Sequence, residues 1–215
     1  MAYTVTDAYN RILQEADKLG SDYFPLPDVL KAFKKETLDF IGSRAKEAEM
    51  NQEVTDDIRT LLVSSSIALI NNPDVPLEKM AGLPSNYHTR LSVNVLYNDG
   101  LKARSPLLER FGESNTNSIS PFKKADRMYP RIQQFSNYFN IVTNLTASST
   151  IQPSKLLLIY IKKPTFGKNS TDIIVDLNDS VCEFLFAATA NALRFNTGEP
   201  MAQTNFQVNQ TYRKK

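Results

Sequence analysis

The chain has 215 residues, 41% of them hydrophobic, which suffices for one globular domain with a sizeable core, although the apolar share is slightly below average. No apolar run approaches the roughly 18 residues of a membrane span, and the opening MAYTVTDAYN lacks a basic stretch followed by an apolar one. Neither a membrane protein nor signal-peptide export is therefore expected. A formal charge of +2 is too small to mark a nucleic-acid binder, and one cysteine excludes an internal disulfide framework.

The charge is unevenly spread. Residues 1 to 63 carry 8 Lys+Arg against 12 Asp+Glu, a net of −4, and residues 64 to 215 carry 17 against 11, a net of +6. At the N-terminus Val5, Ala8, Tyr9, Ile12, Leu13, Ala16 and Leu19 recur at helical spacing, with Thr4 or Thr6 as cap and Gly20 as stop. A second helix is expected from Pro27 towards Ala48, burying Val29, Phe33, Phe40 and Ile41. Its outward face is Lys31, Lys34, Lys35, Glu36, Asp39, Lys46 and Glu47. Thr55 can cap a short helical piece from Asp56 to Leu62.

Beyond Val63 the hydrophobic period changes from helix to sheet. Leu91, Val93, Val95 and Tyr97 alternate with polar residues as a half-buried strand does, and Asn98, Asp99 and Gly100 form a turn. Leu101 to Pro130 has little periodicity and reads as a long basic loop, functional or ordered by a partner. Arg131 to Val142 is read as a strand with a bulge near Asn137. Leu156 to Ile161 is the densest apolar run and is expected to be a strand buried on both faces. Asn178 or Asp179 then caps a helix through Val181, Phe184, Leu185, Ala188, Ala192 and Phe195, stopped by Thr197 and Gly198.

The fold class is therefore α+β: N-terminal helices and a C-terminal helix packed with a small antiparallel sheet. One domain is expected over residues 1 to 198, with a helical part to 63, a sheet part from 64 to 178 and the core helix at 179 to 196. Residues 199 to 215 have isolated apolar residues and cannot fold on themselves, so they read as an extended arm. Phe206 and Val208 fall on one side of an extended strand, with Tyr212 on the same side. They suit anchors on another subunit, with Arg213, Lys214 and Lys215 as charge contacts.

Chemistry is sparse in the sequence. A single histidine, His88, rules out sites with two imidazole ligands, and Cys182 reads as a small buried residue of the last helix. Asp172, Asp176 and Asp179 could hold a Mg²⁺ ion in a hydrolase, but their place around a helix start explains them as caps. The seven glycines are too scattered for a phosphate-binding loop. No enzyme, cofactor or metal is expected. Lys102, Arg104, Arg110, Lys123, Lys124, Arg127 and Arg131, interleaved with Phe122 and Tyr129, suit either a protein docking surface or a grip on single-stranded nucleic acid.

In order along the chain, NQEVTDDIRTLL at 51 to 62, LPSNYHTRLSV at 83 to 93, MYPRIQQF at 128 to 135, LLLIYIKKP at 156 to 164, DLNDSVCEFLFAATANALRF and the polar tail form a pattern. It resembles structural virion proteins of crAss-like and related tailed phages of Bacteroidetes, specifically the neck or ring proteins of the head-tail connector. The resemblance covers nearly the whole chain and brings no catalytic residues. It implies copies of the chain in a ring, a dodecamer, below or beside the portal and around the DNA exit channel. Portal or other neck and tail proteins would be its neighbours, and packaged DNA would pass without sequence-specific binding. It places the protein in the virion, after assembly in the host cytoplasm, with no membrane partner. A nucleic-acid-binding module using the 101 to 131 loop and the C-terminal cations is the competing expectation.

Overall fold

A computed structural model describes residues 3–17, 24–47, 56–73, 75, 78–103, 107–109, 125–146 and 149–196, with backbone alone at 107–109 and 196. The chain divides into two compact units, residues 1–61 with 163–215, and residues 62–162. Helices make the first and strands the second, which is the α+β class that the change of hydrophobic period predicts. The strand at 156–161 and the helix at 179–196, close in sequence, fall in different units and so serve different cores.

The helical unit contains α1 (Val5–Glu15), α2 (Leu26–Glu47) and α3 (Asp179–Asn196). Thr4 and Asp7 close a capping box at the start of α1, each satisfying the other's backbone N–H. The helix ends at Ala16, before Gly20, because Asp17 takes the left-handed conformation at φ 52°. Arg194, in the last turn of α3, pairs with Asp17 and donates to the Ala16 carbonyl at 3.4 Å, placing a cation at the negative end of α1. At the other end of the interface Glu183 accepts hydrogen bonds from Tyr3 and from Arg11, the latter at 3.2 Å. Between these polar ends lie Val5, Ala8, Ile12, Val29, Phe33, Ile41, Leu185 and Phe186, all buried.

Asn178 is the cap of α3: its side-chain oxygen accepts from the Val181 N–H at 2.9 Å, and its carbonyl accepts from Cys182 at 3.0 Å. The approach to this helix, residues 163 to 178, belongs to the helical unit. It is tied there by Val5 N–H to the Asp172 carbonyl at 2.9 Å and Ile174 N–H to the Tyr3 carbonyl at 2.9 Å. Gly167 sits where a Cβ would meet the Ile173 carbonyl oxygen at 2.5 Å, so only glycine lets the segment pass so close.

The second unit holds β1 (Leu62–Ala68), β2 (Ile70–Asn71), β3 (Lys79–Gly82), β4 (Tyr87–Tyr97), β5 (Leu107–Glu109), β6 (Arg131–Gln134), β7 (Tyr138–Val142) and β8 (Pro153–Lys162). They form two sheets, ordered β1-β8-β4 and β2-β3-β7-β6-β5, antiparallel except where β5 pairs with β6. Val93, Val95, Tyr97, Leu156, Leu158 and Tyr160 from the first sheet share one core with Ala81, Ile132, Phe139 and Ile141 from the second. One sheet alone would leave an apolar face in water, so a second layer covers it.

Four expectations change here. The helical piece expected over Asp56 to Leu62 ends one residue early: Asp56 and Asp57 are α-helical, Ile58 is a turn and Arg59–Leu61 is 3₁₀, because Leu62 and the serine triplet already pair with β8. The expected bulge near Asn137 is a chain reversal, with Phe135 N–H bonded to the Tyr138 carbonyl at 2.9 Å and their rings stacked at 4.7 Å. Alternation breaks there because the strand turns back. Among the described residues of the long loop, Leu101–Ala103 folds back along β4 and Leu107–Glu109 forms a strand, pieces too short to show a period. Finally, the run Leu156 to Ile161 of β8 is buried on both faces only at its end: Leu156, Leu158 and Tyr160 are inside, while on the other side Leu157 is half-buried, Ile159 is 43% exposed and Ile161 alone is fully buried.

Candidate interaction surfaces

The turn after β4 anchors the start of the basic loop. Gly100 adopts φ 83°, its N–H bonds the Tyr97 carbonyl at 3.0 Å, and the Tyr97 N–H bonds the Leu101 carbonyl at 2.9 Å. Arg127 pairs with Asp99 and places its guanidinium 5.6 Å from the centre of the Tyr97 ring. Burial pushes the Tyr97 phenol up to about 12, against the opposing pull of Arg127. Arg127, read in the sequence as an interface cation, thus directs its charge inwards to hold a turn. Arg131 is also buried. Lys102 is exposed beside its bridge to Leu96 and keeps its head group available to a partner. Arg104, Arg110, Lys123 and Lys124 lie outside the described residues, as do Phe206, Val208, Tyr212, Arg213, Lys214 and Lys215.

Two of the carboxylates weighed for catalysis, those of Asp172 and Asp179, have structural places. One carboxylate oxygen of Asp172 accepts from the backbone N–H groups of Lys168 and Asn169 at 3.0 and 2.8 Å, and these bonds hold its carboxyl below the usual range. Asp179 opens α3, and the Asp176 carbonyl accepts from the Thr60 hydroxyl at 2.6 Å. Among the described residues no group of three or more His, Cys, Asp or Glu is placed to hold a metal ion. His88 lies where the β4–β8 register shifts, and Cys182 belongs to the other unit.

Burial drives the Cys182 thiol up to about 11, with Asp179 and Glu183 adding to the shift. Two units above the ordinary value leave about 100-fold less thiolate at neutral pH, so a thiol reagent should modify the native chain far more slowly than the urea-unfolded one. Equal rates would show that α3 does not bury this residue. The neutral thiol favours the folded state below about pH 9, and that contribution is lost as pH rises through about 11.

Two surfaces are open to partners. A cavity of about 620 Å³ in the helical unit is lined by Asp28, Lys31, Ala32, Lys35, Ala192, Leu193, Phe195 and Glu36. Glu36, expected on the outward face of α2, is only 7% exposed there, because it sits one turn from Phe33 and Phe40 beside the end of α3. The second surface is the outer face of the β1-β8-β4 sheet with its β1 edge, to which no further described strand pairs. Its cross-strand rows run Ser64, Ile159, Ser92 and then Ser66, Leu157, Asn94. Three serine hydroxyls and the Asn94 amide thus flank two aliphatic side chains, and no charge lies in either row. The serine triplet, Ser64 to Ser66, has no hydrophobic period of its own; its pairing register with β8 is what makes it a surface.

The architecture is that of an α+β protein with one helical and one two-sheet unit, and among the described residues no helix is long and apolar enough to cross a membrane. No protein-family model matches the chain, and no curated protein is similar to it.

Proposed function

We propose that this chain is a structural subunit of a ring in the head-tail connector of a tailed phage, without catalytic turnover. The observation that carries this is the charge division between the units. The helical unit has 14 Lys+Arg against 17 Asp+Glu, a net of −3, and the two-sheet unit has 11 against 6, a net of +5. Closed rings form when one patch meets a different patch on the next copy, and opposite potentials steer and register such a heterologous contact. The segments that carry the resemblance support it as a property of the whole chain. LPSNYHTRLSV leads into β4, MYPRIQQF into β6, LLLIYIKKP lies in and after β8, and DLNDSVCEFLF begins α3.

The competing function, a grip on single-stranded nucleic acid, loses two of its cations, since Arg127 faces Asp99 and Arg131 is buried. Sedimentation of the purified chain with and without an oligonucleotide separates the two. A ring subunit forms large assemblies that grow with protein concentration and need no oligonucleotide. A nucleic-acid module stays small and binds with an affinity that falls steeply with salt.

A further inference from the structure

Among the described residues, strand β1 leaves an entire edge unpaired. On the far side of its sheet, β4 is protected: Leu101–Ala103 folds along it, with Ala103 N–H bonded to the Val95 carbonyl at 2.9 Å, and its register with β8 shifts at three places. On β1, by contrast, the described backbone hydrogen bonds of Leu62–Ala68 all go to β8, in an unbroken register. Natural edge strands are blunted by lysine, proline or bulges. This one has none of them, and the sequence carries no charge from Thr60 to Pro73.

The outward-facing groups follow from the ladder. Leu69 N–H bonds the Ser154 carbonyl at 3.0 Å, so by antiparallel alternation Val63, Ser65 and Ile67 also turn their backbone towards β8. Leu62, Ser64, Ser66 and Ala68 then present theirs to the free edge. The other side of β8 agrees: Ile67 and Val95 both lie opposite Leu156, and the Val95 carbonyl points away from β8 to Ala103.

We infer that two copies of this chain pair through β1, antiparallel, about a two-fold axis at Ser65. The sequence LVSSSIA is self-complementary in that register. Leu62 faces Ala68 of the second copy, Val63 faces Ile67, and Ser64 faces Ser66. The outward backbone groups fall in the hydrogen-bonded pairs 64 with 66 and 62 with 68. Val63 and Ile67, half-buried on the core side, meet in non-hydrogen-bonded pairs, where side chains approach most closely and β-branched residues pack well. Ser64, Ser66 and Ala68 are exposed on the outer side, so nothing bulky obstructs the approach. The result is one continuous sheet running β4-β8-β1 into β1-β8-β4 of the second copy. This contact is isologous and does not rest on the ring function; a ring that also used it would be a pair of rings face to face.

Sedimentation equilibrium of the full chain tests the pairing. The unmodified chain should be dimeric, or built of dimers, in the micromolar range. The double variant Ser64→Lys with Ser66→Lys sets like charges opposite each other twice and should weaken the pairing about tenfold or more. Ser64→Lys with Ser66→Glu sets opposite charges in the same places and should retain it. Hydrogen exchange on the unmodified chain gives an independent reading: the Ser64 and Ser66 amides should gain protection as concentration rises. A monomeric unmodified chain, an assembly that both lysines leave intact, a Lys/Glu variant as weak as the Lys/Lys one, or Ser64 and Ser66 amides that stay unprotected would each overturn the inference. An edge taken by another segment, such as residues 199 to 215 of a neighbour, would show as equal weakening by both variants.

Discussion

Replacing Phe186 by alanine should destabilise the protein by about 3–5 kcal/mol, one of the two largest effects expected of a single substitution. Phe186 is fully buried on α3. Its ring meets the edge of Tyr3 with centroids 5.1 Å apart and the tilted face of Phe33 at 5.7 Å. It thereby joins α3 to α2 and to the segment before α1. Truncation removes the buried ring and two aromatic contacts, each worth roughly 0.5–1.5 kcal/mol beyond burial. It also leaves a hole that helices tied at both ends by Glu183 and Arg194 cannot easily close. Urea unfolding followed by far-ultraviolet circular dichroism measures this, and a loss under about 1 kcal/mol would mean that α3 does not pack on α2 through this ring.

The second large effect is directional. Leu158→Ala should cost about 2–5 kcal/mol, while the adjacent Ile159→Ala should stay within about 1 kcal/mol of the parent. Leu158 is fully buried between Ser65 and Val93 on the core face of the central strand. Ile159 is 43% exposed between Ser64 and Ser92 on the outer face. Similar costs at both positions would mean that the outer face is covered.

That pair of neighbours also shows where sequence reasoning ends. Six consecutive apolar or aromatic residues, Leu156 to Ile161, announce a strand, but an unbroken run carries no period from which to tell one covered face from two. The helices were legible because their caps and apolar spacing are local: Thr4 with Asp7, Asn178 with Val181, and Phe33 with Phe40 all lie within two turns. The division into two sheets was not, since it depends on partners such as Ala81 with Phe139, 58 positions apart. The candidate surfaces divide in the same way. Lys102 is exposed where the basic loop predicts a contact, whereas Arg127 looked equally free until the fold brought Asp99 and Tyr97 to it. The edge of β1 was hidden because three serines carry no strand signal; their neighbours on β8 supply it.

Electron microscopy of the purified full-length chain, without nucleic acid, tests the proposed function most directly. Closed rings of uniform diameter, more abundant at higher protein concentration, are the predicted result. Only monomers or dimers at every concentration, joined by tight and salt-sensitive binding of a single-stranded oligonucleotide, would contradict it.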